Sequence, residues 1–152
     1  MKDERPKDLQ IRTKELALRV IRMYSAWPKS TEAQVLGRQV LRSGTSVGAN
    51  YREANRARSR PEFIAKIGDC LKELDETAYW LELLADSSIV PKVKLAPLRN
   101  ECDQLLAIFT TISKENEDPT RSMKDVFHHS YFILHPSKFI LSFKCTKKLS
   151  TI

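Results

Sequence analysis

The chain has few of the residues that usually carry catalysis or cross-linking. Its 152 residues include three Cys, three His and four Gly. Cys70, Cys102 and Cys145 are odd in number and lack C-x-x-C spacing, so neither a disulfide framework nor a zinc site is expected. His128, His129 and His135 all fall near the C-terminus, which leaves the preceding chain without the Glu-x-x-His pairs of a di-iron carboxylate bundle. No nucleophile elbow, H-E-x-x-H or G-x-x-x-x-G-K-[ST] phosphate loop is present. No apolar run approaches the roughly 18 residues of a membrane span. The opening Met-Lys-Asp-Glu-Arg-Pro6 lacks the apolar core of a signal peptide. These absences predict a cytoplasmic, non-enzymatic domain with no cofactor, no metal and no membrane contact.

What the chain does have is charge, unevenly placed. The net charge is +7. Residues 119–152 hold six Lys+Arg and one Asp, whereas residues 1–118 hold 20 Lys+Arg and 18 Asp+Glu. Arg38, Arg42, Arg52, Arg56, Arg58 and Arg60 face only Glu53 across residues 38–60. Residues 62–86 reverse the sign, with seven acids against Lys66 and Lys72. Such local segregation says more about partners than net charge does.

Pro6, Pro28, Pro61, Pro91 and Pro119 divide the chain at helix-sized intervals, because proline suits a first helical turn and breaks an interior. Thr31 is the expected cap of the second helix and Ser59 or Arg60 leads into the third; the fourth is expected to start near Pro97, or to hold it in its first turns. Leu16, Val20, Met23 and Trp27 recur at steps of three and four. So do Phe63, Ile67, Leu71, Leu74, Ala78, Leu81 and Ala85, and again Leu95, Leu98, Cys102, Leu105, Phe109 and Ile112. Alternating steps of three and four return one helix face every two turns, and short connections favour antiparallel neighbours. The prediction is an all-α, antiparallel up-down four-helix bundle over residues 8–118, followed by a basic extension over 119–152 of uncertain structure.

On a helix drawn at about 100° per residue, Arg38, Arg42, Arg52, Arg56 and Arg60 fall within about 80° of one another. Leu36, Val40, Val47, Tyr51 and Ala54 lie opposite. If that helix is continuous, the arginines form a stripe roughly 30 Å long, suited to successive phosphates by the planar guanidinium fork. Pairing with Glu62, Asp69, Glu73 and Glu76 of the third helix is the competing use. Asp69, Glu73 and Glu76 among them have the chemistry of a divalent-cation site, but a solvated or arginine-paired face is the favoured reading. Within the stripe, Ser43, Gly44, Thr45, Ser46 and Gly48 are poor helix formers, which points to tight packing within the bundle or between subunits.

The run Arg42-Ser-Gly-Thr-Ser-Val-Gly-Ala-Asn-Tyr-Arg-Glu-Ala54, with Arg58-Ser-Arg-Pro-Glu-Phe-Ile-Ala-Lys-Ile-Gly68 and Leu71-Lys-Glu-Leu-Asp-Glu-Thr-Ala-Tyr-Trp-Leu-Glu-Leu-Leu84, resembles the bacterial 23S rRNA intervening-sequence proteins. That family was first labelled S23 ribosomal protein and includes the accessory variability determinant of diversity-generating retroelements. The resemblance covers about residues 9–117. It implies a homopentameric barrel of four-helix protomers with a basic surface for RNA or DNA. In the retroelement branch it also implies a reverse transcriptase partner. Arg42, Ser43, Thr45, Ser46, Asn50 and Glu53 match the family motif; Arg38, Arg52, Arg56 and Arg60 rest on the helix-face argument. Two functions follow as expectations. One is an oligomeric protein binding RNA or DNA phosphates through the arginine stripe. The other is a structural or adaptor homo-oligomer whose charged helices join subunits or protein partners.

Overall fold

Two serines set where the second and third helices begin. Ser30 and Ser59 have extended backbones, and their hydroxyls accept from the N–H groups of Ala33 and Glu62, each at 3.3 Å. Each thereby satisfies a donor that the first helical turn leaves open. Ser30, rather than Thr31, is the first cap; Thr31 is already helical. The computed structural model describes residues 5–117 as α1 (Arg5–Ser25), α2 (Thr31–Ala54), α3 (Arg60–Asp86) and α4 (Lys92–Glu117). The expected 119–152 extension, its charge and its histidines lie outside the described residues.

The helices pack on their neighbours in chain order, while α1 and α4 touch only sparsely. The three-four spacing is the packing pattern. Leu16 and Val20 of α1, Val40 and Val47 of α2, Ile67, Leu74 and Leu81 of α3, and Leu98, Leu105 and Phe109 of α4 are at most 1% exposed. Each such burial stabilises by roughly 1.5–3 kcal/mol. The chain turns from α3 into α4 through Ser88, whose φ of 58° is the left-handed geometry that ends many helices. α4 starts at Lys92 and runs through Pro97. The backbone bond that Pro97 cannot make falls beside exposed Val93, in the solvated second turn. No helix among the described residues is long and apolar enough to cross a membrane.

Candidate nucleic-acid interface

The predicted stripe of five arginines is shorter than a continuous helix would make it. α2 stops at Ala54, where the Asn55 side-chain amide donates to the Tyr51 carbonyl at 3.1 Å. A new helix is nucleated just beyond, where Ser59 caps α3 and Pro61 occupies its first turn, a position that suits a residue without a backbone N–H. Arg56 therefore sits in the connection and Arg60 opens α3. Only Arg38, Arg42 and Arg52 share the outer face of α2.

Two of the five have structural partners. Arg60 is half-buried and donates through Nε to the Asn116 carbonyl at 2.7 Å and through Nη2 to the Glu115 carbonyl at 3.5 Å. It thus ties the start of α3 to the open carbonyls at the end of α4. Arg42 pairs with the carboxylates of Glu76 and, at 3.5 Å, Glu73. Arg38, Arg52 and Arg56 are exposed and make no ion pair among the described residues.

The acids of α3 are occupied along the same seam. Lys66 bridges Glu53 at 2.7 Å and Asp69 at 3.4 Å, and Glu62 pairs with Arg58 at 3.7 Å. The hydrogen bond from Lys66, followed by its charge, holds the Glu53 carboxyl below its ordinary range. Hydrogen bonds to Glu53 and Asp69 raise the Lys66 ammonium in turn. Among the described residues no group of three His, Cys, Asp or Glu is placed to hold a metal ion.

The small residues of the motif serve packing within the protomer. A Cβ on Gly44 would come within 2.9 Å of Val20 Cγ2 of α1, and one on Gly37 within 2.5 Å of the Tyr24 ring. Gly48 lies against the Thr13 backbone, 3.5 Å from where its Cβ would be. On the other side of α2, the Thr77 hydroxyl donates to Ser43 Oγ at 2.8 Å, and Ser43 Oγ donates to the Gln39 carbonyl at 2.9 Å. Thr45 and Ser46 donate to the carbonyls of Leu41 and Arg42, four residues back in their own helix. Asn50 is half-buried.

Between α1 and α2 lies an open groove of about 210 Å³, lined by Gln10, Lys14, Ala17, Thr45, Gly48, Ala49 and Arg52. Lys14 was not legible as part of this surface, because helix periodicity does not give the register between two helices.

The family model described as 23S rRNA-intervening sequence protein matches residues 7–111, spanning the motif, the glycine seam and most of α4. The chain belongs to the 23S rRNA-intervening sequence protein family. A solved structure, described as a protein with unknown function from the S23 ribosomal protein family of Bacteroides thetaiotaomicron, is 36% identical. It superimposes with a TM-score of 0.65, covering 69% of this chain and 97% of that one. No curated protein matches the chain. The matched region contains all three α2 arginines, Arg56 and the groove.

Proposed function

We propose that this protein is a non-enzymatic, oligomeric cytoplasmic binder of RNA or DNA that contacts backbone phosphates through Arg38, Arg52 and Arg56. The supporting observation is their exposure without an ion pair among the described residues, whereas Arg42 is paired. Arg38 and Arg52 lie 14 residues apart on one helix face, roughly 21 Å, a span that covers several phosphates. Guanidinium groups bind phosphate by paired N–H donors and displace condensed counterions. Binding therefore weakens steeply with salt and varies little with sequence. The pentameric assembly implied by the family resemblance would repeat this surface.

Anisotropy titrations of labelled RNA and DNA duplexes across a salt series test the reading. Wild type is expected to bind with a steep negative salt slope, and an R38E/R52E/R56E variant to lose binding. Absence of wild-type binding at low salt, or equal binding by the variant, would falsify it.

A second reading, a structural or adaptor homo-oligomer, is favoured by a different observation. Ile11 and Ile21 of α1 are 59% and 43% exposed and flank half-buried Leu18 on the face away from the core. Such an apolar strip suits a subunit contact. Light scattering on I11E/I21E separates the two. A lower mass with unchanged nucleic-acid binding assigns the strip to assembly; an unchanged mass removes it.

A further inference from the structure

The two flanks of α2 differ in charge balance. Toward α3, every cation of the seam meets carboxylates: Arg42 with Glu73 and Glu76, Lys66 with Glu53 and Asp69. Toward α1, the groove holds Lys14 and Arg52, both exposed and without an ion pair among the described residues, and no acid borders it. A polyanion approaching α2 gains its attraction on the α1 side, because the α3 side is already neutralised within the protomer.

We propose that the groove between α1 and α2 seats a backbone phosphate of the nucleic acid, with Lys14 and Arg52 holding it from opposite walls. The inference rests on the nucleic-acid reading above and adds α1 to that surface. At about 210 Å³ the groove is smaller than the roughly 300 Å³ at which ordinary ligand pockets begin. It suits a phosphate group rather than a whole nucleotide. Ala17, Gly48 and Ala49 of its lining offer little side-chain bulk, so a sugar–phosphate chain approaches closely. The Thr45 hydroxyl donates its proton to the Leu41 carbonyl at 2.7 Å, which leaves the cations as the principal donors to an anion. The groove therefore reads charge and leaves base edges unread. An acidic protein segment is the poorer fit, since the lining has no large apolar side chain to meet the aromatic or aliphatic anchors that protein interfaces depend on.

The test uses the full chain and labelled RNA and DNA duplexes as probes, with K14Q, A49E and, as a control removing one exposed charge on α3, K72Q. Circular dichroism confirms that the variants keep the wild-type helicity. K14Q is expected to reduce the magnitude of the log–log salt slope by about 0.9 for a DNA duplex. A49E, which adds a carboxylate to the lining, is expected to weaken binding roughly tenfold at low salt, and K72Q to match wild type. If K14Q and A49E both bind as wild type does while R38E/R52E/R56E is weakened, the groove assignment is wrong and the nucleic-acid reading survives. If wild type binds neither duplex, both are wrong. Displacement of the duplex by polyglutamate as readily as by unlabelled duplex of equal charge would also overturn the phosphate seat, assigning the groove to an acidic protein.

Discussion

α2 meets α1 and α3 by different means. Its seam with α1 is made of shape: Gly37 and Gly44 let Tyr24 and Val20 come closer than a side chain would allow, and Gly48 lies in ordinary contact with the Thr13 backbone. Its seam with α3 is made of polar pairs: Ser43 with Thr77, Arg42 with Glu73 and Glu76, and Glu53 with Lys66. A seam held by close contact needs no countercharge, so the cations beside it stay available. A seam held by ion pairs consumes its cations. The difference accounts for Arg52, beside the α1 seam, making no ion pair among the described residues while Arg42, beside the α3 seam, meets two carboxylates.

The largest effect is expected at the α1 seam. Gly44→Val adds a branched side chain where even a Cβ would press on Val20, itself 1% exposed and stiff at χ1. We expect a loss of about 3 kcal/mol, the upper range for overpacking, measured by urea denaturation. A loss below about 1 kcal/mol would mean that α1 moves aside freely and that the seam is not shape-limited. Thr77→Val comes next. It keeps the shape but removes the donor to buried Ser43, which retains the Gln39 carbonyl. About 1 kcal/mol should be lost; an unchanged stability would show that the hydroxyl pair contributes no net stabilisation to the α3 seam.

The helices and their buried faces were legible because a three-four spacing is a one-dimensional signal. All six residues from Leu95 to Ile112 in the predicted seam of α4 are buried. The arginine stripe was only partly legible. Projecting 38–60 onto one wheel assumed a continuous helix, although Ser59 and Pro61 already carried the signal for a break. Pairing was harder to see. Arg42 meets Glu76, and Arg38 meets no acid among the described residues, because of the α2–α3 register, which no single-helix pattern encodes. Lys14 escaped notice for the same reason on the other flank. Packing of the motif's small residues was anticipated without its partner; the structure places Gly44 against Val20 and Ser43 against Thr77.

The Arg42–Glu76 pair should stabilise less than either packing feature. Its side chains are 52% and 30% exposed, so solvent screens their attraction. A double-mutant cycle with R42Q and E76Q is expected to give a coupling of about 0.5 kcal/mol, shrinking with added salt. A coupling near 2 kcal/mol would place this seam's stability in its charges and rank the ion pair above the Ser43–Thr77 contact.

At neutral pH the smallest effect belongs to Cys70, which packs in the α3 seam with its thiol 3.7 Å from the Val47 carbonyl. Burial pushes that thiol up to about 12, from an ordinary value of 9.0; burial likewise raises Cys102 to about 12. Between these limits the folded chain keeps protons that the unfolded chain releases. Stability therefore falls as pH rises through that window, and nothing changes near pH 7. Urea midpoints of a C145S variant, which leaves only the two bundle thiols, should be flat from about pH 7 to 8 and decline above about 9. Replacing Cys70 with Ala should lessen the decline while lowering the midpoint at all pH values by loss of packing. A slope unchanged by Cys70→Ala would assign the alkaline loss to Cys102 or to the lysines, Lys66 of the α3 seam among them.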